Sequence, residues 1–188
     1  MMNKPLRTLS LFLGLLATLL PLSLSAAPAA DRENTIYLDL PTGRVVIQLL
    51  PNIAPRHVAR IKELTRKGFY DGLSFHRVIP GFMAQTGDPR GDGSGGSGKQ
   101  LKAEFSREQH LRGTVSMARA SDPDSGDSQF FICFAPAPFL DGKYTVWGRV
   151  VSGMEFIDKI TPGSEYNNGA VSNPTRIARM KVAADVKP

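Results

Sequence analysis

The chain carries a single cysteine, Cys133, so no internal disulfide can form and stability rests on the core alone. Histidine is nearly as scarce. His57, His76 and His110 lie in three separate segments without a partner four residues away, which leaves a metal site without sequence support. No serine stands in a G-x-S-x-G elbow, and Cys133 lies inside the apolar run FFICF, where a buried, inert thiol is expected. Covalent catalysis therefore has no evident nucleophile. The 23 basic residues are interleaved with 17 acidic ones for a net charge of +6, without the one-sided basic footprint of a nucleic-acid binder. The sole tryptophan, Trp147, is assigned to packing.

What is present is an ordinary globular balance over 188 residues, room for one domain with a real core. The first 30 residues differ from the rest. Lys4 and Arg7 precede an apolar run from about residue 9 to 24, followed by small residues, the order of a secretory signal peptide. The run is shorter than a spanning helix needs and is broken by Pro21, which disfavours a membrane anchor. Cleavage is expected near Ala27 or Ala29, leaving 30–188 as a single exported, periplasmic and soluble domain, monomeric and without membrane insertion. Loss of Lys4 and Arg7 takes the charge of +6 to +4.

From Asn34, NTIYLDL and RVVIQLL read as two strands joined by a tight Pro-Thr-Gly connection. Asn52 and Pro55 then suit an N-cap and first turn, Val58, Ile61 and Leu64 follow at helical spacing, and Gly68 closes a helix over about 54–67. Further strands are expected over 73–79, 113–118, 128–135, 144–151 and 175–183. A second helix is expected over 153–161, with Met154, Ile157 and Ile160 on one face before Pro162. There is no βαβ alternation, so a mainly β architecture, a closed antiparallel barrel covered by helices, is favoured over a doubly wound sheet.

The stretch RGDGSGGSGKQ, 90–100, contains both a G-x-G-x-x-G and a near phosphate loop. Neither has the strand before and the helix after that nucleotide binding requires, and Gln100 replaces the Ser or Thr that would hold magnesium. The segment is read as a glycine-rich surface loop with no nucleotide, and no cofactor is expected.

Two stretches remain informative. In FHRVIPGFMAQTGD, 75–88, a strand puts Phe75, Arg77 and Ile79 on one face, while Met83 and Gln85 are expected to share another, with Phe82 beside them. In SQFFICFA, alternation places Phe130, Ile132 and Phe134 on one face and Gln129, Phe131 and Cys133 on the other. Two apolar faces suggest a core and a groove, although a strand covered by protein on both sides would give the same pattern.

Taken with GTVSMARA and SQFFICFAPAPFLDGKYTVWGRVVSGM, these stretches resemble the cyclophilin family of peptidyl-prolyl cis/trans isomerases, and the likeness runs from the Thr35 strand to about Val182. The resemblance implies a closed eight-stranded antiparallel β-barrel capped by two helices, and a cofactor-independent, non-covalent isomerase of X-Pro bonds that assists folding of exported proteins. It implies catalytic roles for Arg77, Gln85 and Phe131, and a substrate-binding groove of Phe82, Met83, Ala118, Arg119, Ala120, Gln129, Phe139, Leu140 and Tyr144. His76 is given a secondary, structural place. The expected partners are proline-containing peptides and folding exported proteins, with no nucleic acid. Phe139, Tyr144 and Arg119 stand where many relatives carry Trp, His and Asn, so weak cyclosporin binding is expected. The alternative is a non-catalytic chaperone module that holds proline segments on the same barrel.

Overall fold

The computed structural model describes residues 31–187; the stretch read as a signal peptide lies outside them. Eight strands run in chain order as β1 (Thr35–Leu40), β2 (Gly43–Leu49), β3 (Arg77–Ile79), β4 (Met83–Thr86), β5 (Thr114–Met117), β6 (Phe130–Cys133), β7 (Val146–Ser152) and β8 (Arg179–Val182). Two α-helices accompany them, α1 (Pro55–Arg66) and α2 (Met154–Ile157). The sheet is antiparallel in the order β3-β4-β6-β5-β7-β2-β1-β8.

That order does not return on itself, which corrects the expectation of a closed barrel: the sheet is open and curled, with β3 and β8 as its edges. Irregular chain crosses the gap. Phe75 N–H donates to the Thr175 carbonyl at 2.9 Å and Gly72 N–H to that of Ile177 at 2.8 Å. A regular ladder fails here because Pro174 has no N–H to give, and because Asn168 and Gly169 turn the chain with positive φ. The same irregularity shortens the strand expected over 73–79 to its last three residues.

Alternation fills the concave side. Ile36 and Leu38 of β1, Val45 and Ile47 of β2, Phe130 and Ile132 of β6, and Met180 and Val182 of β8 are buried in one cluster with Val58, Ile61 and Leu64 of α1. Trp147 belongs to it as well, its ring edge-on to Phe130 at 5.3 Å. Each large apolar side chain buried this way stabilises the fold by about 1.5–3 kcal/mol, which is how a chain whose one cysteine is free holds together.

The N-cap of α1 is Ala54, not the expected Asn52, and it has no side-chain cap bond. Glu104 supplies the missing acceptors from a distant loop. Its carboxylate accepts the backbone N–H groups of Arg56 at 3.1 Å and His57 at 3.0 Å, and lies 2.7 Å from His57 Nδ1. At the other end Gly68, φ +69, lets Phe69 N–H reach the Leu64 carbonyl and Gly68 N–H that of Thr65, the paired bonds that close a helix on a left-handed residue. The second helix is shorter than the expected 153–161, ending at Ile157.

The glycine-rich loop does surround two carboxyl groups, and both belong to the protein. Asp88 accepts the N–H groups of Arg90, Asp92 and Gly93 at 2.8, 3.1 and 2.6 Å. Asp127 accepts those of Ser97, Gly98 and Lys99 at 3.0, 2.8 and 3.2 Å, together with the Ser97 hydroxyl. A Cβ at Gly96 would stand 2.6 Å from Asp127 Oδ2, so the loop can wrap the carboxylate only without a side chain there. The donors that would cradle a phosphate are occupied.

Candidate active site

Directly opposed residues of neighbouring antiparallel strands share a face. Arg77 of β3 faces Gln85 of β4, Gln85 faces Phe131 of β6, and Phe131 faces Ser116 of β5. One row therefore crosses four strands. Ile79, Met83 and Cys133 form the next row. Met83 and Gln85 thus share the face of Arg77 and Ile79 rather than presenting another. Phe75 leaves that face and is buried in the core, since no strand forms before Arg77. The hairpin is set by Pro80 and Gly81, the latter at φ +72, with Phe82 N–H donating to the Ile79 carbonyl at 3.0 Å, a type II turn.

A second apolar cluster lies on this face, distinct from the core. Met83, Phe131, Cys133, Ala137 and Leu140 are buried in it, and Ile79, Phe82, Ala118 and Tyr144 pack at its margin. Above it opens a pocket of about 390 Å³ lined by Arg77, Phe82, Met83, Gln85, Ala118, Arg119, Phe131, Phe139, Leu140 and Tyr144. Ten of the residues picked out in the sequence thus meet at one pocket. Ala120 and Gln129 line an adjoining polar pocket of about 300 Å³, which shares Gln85, Ala118 and Arg119 with the first. His76 lies apart, lining a third pocket on the other side of Arg77.

The pocket walls are held from behind. The Phe131 ring stacks on His110 at 6.1 Å and meets Tyr144 edge-on at 5.8 Å. His110 is fixed in turn between Asp141, 2.9 Å from Nδ1, and the Ser116 hydroxyl, 3.0 Å from Nε2. Phe139 is 60% exposed and tilts against Phe82 at 5.3 Å. Burial pushes the Cys133 thiol up to about 12, so it holds its proton at neutral pH and is no nucleophile.

Arg77 is the one charged group of this row. Its Nε donates to the Asn168 carbonyl at 3.0 Å, Nη2 to Asn168 Oδ1 at 2.9 Å and Nη1 to Gln85 Oε1 at 3.2 Å. Every partner is a neutral oxygen, so the positive charge is oriented without being neutralised. Burial draws its pKa below the ordinary value, yet a guanidinium stays protonated in any protein. It has five N–H donors, of which three are engaged, leaving two for a ligand. Behind it Gln85 Nε2 donates to Gln129 Oε1 at 2.9 Å, and Gln129 Nε2 to the carbonyls of Gly93 and Gly95 at 2.9 and 2.7 Å. The glycine loop is thereby tied to the arginine through two amides.

His76 is buried with neither ring nitrogen hydrogen-bonded within the protein, and burial lowers its pKa, partly opposed by Asp88. It is not among the residues that line the apolar pocket. The residue that sequence reasoning missed is Asn168. Its φ of +47 belongs to a turn, and the Asn-Asn-Gly sequence announced the turn but not that it would fold back onto Arg77, 91 residues away.

Comparison with known proteins gives the family and the fold. Residues 35–182 match the family model described as cyclophilin type peptidyl-prolyl cis-trans isomerase. A probable peptidyl-prolyl cis-trans isomerase of Brucella suis is 53% identical over 177 residues, covering 88% of this chain and 90% of that one. Peptidyl-prolyl cis-trans isomerase B of Bacillus subtilis is 47% identical over 133 residues, 69% of this chain and 92% of the other. Among solved structures, a cyclophilin from Hirschia baltica superposes with a TM-score of 0.75 at 29% identity, over 84% of this chain and 77% of that one. A cyclophilin-type isomerase of Cryptosporidium parvum, crystallised in the presence of the dipeptide Ala-Pro, gives 0.73 at 27% identity, over 79% and 98%.

Proposed function

The chain belongs to the cyclophilin-type peptidyl-prolyl cis-trans isomerases, and on that premise we propose that the Arg77 pocket is where an X-Pro bond is turned. The amide bond resists rotation by roughly 18–20 kcal/mol, and X-Pro isomerisation unaided takes tens to hundreds of seconds. No nucleophile or cofactor is needed to lower that barrier. The twisted amide must be favoured over the planar one, and about 1.4 kcal/mol of such preference gives a tenfold rate gain.

As the bond twists, the prolyl nitrogen loses conjugation, becomes pyramidal and regains a lone pair. The planar nitrogen offers no acceptor; the twisted one does. The two free N–H donors of Arg77 are suited to that nitrogen and to the neighbouring carbonyl, a preference for the twisted state set up before substrate arrives. Met83, Phe131, Leu140 and Phe82 supply an apolar seat for the proline ring. Gln85 and Gln129 hold the guanidinium and meet the peptide backbone, while the wall Ala118-Arg119-Ala120 is suited to an extended chain. The Ala-Pro dipeptide present with the Cryptosporidium protein supports this class of ligand.

The observation that carries the reading is an oriented, un-neutralised Arg77 at the edge of an apolar pocket. We further propose that residues 1–29 are a cleaved signal peptide and that the clients are exported proteins in the periplasm. Among the described residues no helix is long and apolar enough to cross a membrane. The test is NMR exchange on a short Ala-Pro peptide with the 30–188 protein and with Arg77→Ala. Strong acceleration by the first, reduced on the order of a hundredfold or more in a folded second, is the expected result. Unimpaired catalysis by Arg77→Ala would refute the assignment, and a folded but inactive wild type would favour the non-catalytic binding module.

A further inference from the structure

The apolar pocket and the polar pocket meet along Gln85, Ala118 and Arg119, which line both. Arg119, half-buried at this boundary, is held on several sides. Its Nε and Nη2 donate to the Lys143 carbonyl at 3.2 and 3.1 Å, and Nη1 to the carbonyls of Ala120 and Ser121 at 2.8 and 3.2 Å. Its guanidinium carbon sits 4.5 Å above the centre of the Tyr144 ring, a stacked placement that holds the plane as well as the charge. All four contacts are to carbonyl oxygens, so the charge is fixed in place but not cancelled.

The charges around the divide are one-sided. Arg77 and Arg119 line the apolar pocket, and no carboxylate does. The carboxylate that lines the polar pocket, Asp127, is already shared among the Ser97, Gly98 and Lys99 backbone donors and the Ser97 hydroxyl. A peptide whose proline ring occupies the apolar pocket, with its nitrogen toward Arg77, has the second oriented cation of that pocket, Arg119, as the nearest unbalanced charge for the residues flanking the ring.

We propose that Arg119 is a specificity-determining residue which favours substrates carrying an acidic residue immediately before proline and disfavours those carrying a basic one. This rests on the assignment of the Arg77 pocket as the isomerase site. A pair of opposite charges several ångströms apart at a wet surface gives a preference on the order of three- to fivefold for Glu-Pro over Gln-Pro, and Lys-Pro falls below Gln-Pro by a similar factor.

The experiment is NMR exchange, free of any coupling protease, on three peptides identical except for Glu, Gln or Lys before proline. It is run at low and at high salt with wild type, Arg119→Lys and Arg119→Gln. The order Glu, Gln, Lys is expected in wild type, compressed at high salt. Arg119→Lys keeps the order with a smaller spread, and Arg119→Gln brings the three kcat/KM values together. A wild type that turns over all three peptides equally at low salt overturns the inference while leaving the isomerase reading intact. So does an unchanged spread in Arg119→Gln. Failure of the wild type to accelerate even Gln-Pro counts against the isomerase reading instead. Should Arg119→Gln not fold, the salt dependence of the wild type and the spread in Arg119→Lys decide.

Discussion

Asn168 grips Arg77 twice, once through its backbone carbonyl at 3.0 Å from Nε and once through Oδ1 at 2.9 Å from Nη2. The residue sits at φ +47, a conformation that Asn tolerates better than most side chains. One left-handed turn residue thus supplies two of the three acceptors that aim the guanidinium, Gln85 Oε1 being the third.

Replacing it separates the two contacts. Asn168→Gly keeps the left-handed turn and the carbonyl but drops Oδ1, and kcat/KM for an Ala-Pro peptide should fall about two- to tenfold, the worth of one such hydrogen bond. Asn168→Asp keeps the contact but pairs Arg77 with a charge, and should cost more than Asn168→Gly because the cation is then neutralised. Exchange NMR on both variants checks this, and a more active Asn168→Asp would argue that orientation, not free charge, is what Arg77 needs.

The row Arg77, Gln85, Phe131 is legible in the sequence through the family resemblance, whereas alternation alone puts Gln85 on a different face from Arg77, and only the β3–β4 register brings the two together. In SQFFIC, alternation does separate Gln129 and Phe131 from the core residues Phe130 and Ile132. What stayed hidden depends on contacts between residues far apart in sequence. Glu104 capping α1, Asp127 filling the glycine loop and Asn168 meeting Arg77 span separations of 47, 29 and 91 residues, and no local pattern encodes them. The expected closure of the sheet failed for a related reason. Pairing between 72–77 and 170–177 does occur, but Pro174 and the turn before it keep it from becoming a ladder.

The Glu104 cap makes a prediction about acid stability. Burial pushes the Glu104 pKa up, but the bonds from the His57 ring and from the His57 and Arg56 N–H groups outweigh it, leaving it below the ordinary 4.5. For His57, burial pulls the pKa below 6.5, against the opposing pull of Glu104. Both folded values are depressed, so both contributions are complete above the unfolded values and are lost as pH falls, His57 from near 6.5 downward and Glu104 from near 4.5 downward. Glu104→Gln leaves one of two helix N–H groups without a strong acceptor and should cost about 1–2 kcal/mol at pH 7. At about 2–4 °C per kcal/mol for a domain of this size, the melting temperature drops by about 2–8 °C. The variant should also lose less stability than wild type below pH 4.5. Thermal melts from pH 3 to 8 test both parts, and parallel curves for the two proteins would remove Glu104 from the account.

Phe139 gives the last prediction. It stands over half exposed at the pocket, braced by Phe82 at 5.3 Å, at the position where the family resemblance implies a tryptophan in cyclosporin-sensitive members. A phenyl ring there offers a ligand apolar area but no hydrogen-bond donor, whereas an indole extends the wall and adds an N–H. Because Phe139 is exposed and takes no part in the core, Phe139→Trp should fold as the parent does. Cyclosporin affinity should rise on the order of tenfold, about 1.4 kcal/mol, with Ala-Pro turnover changed far less, since the proposed seat for the proline ring rests on the buried residues Met83, Phe131 and Leu140. Titration of both proteins, followed by Trp fluorescence or calorimetry, reads the change. An unaltered affinity would mean that Arg119 and Tyr144, which line the same pocket, set the limit instead.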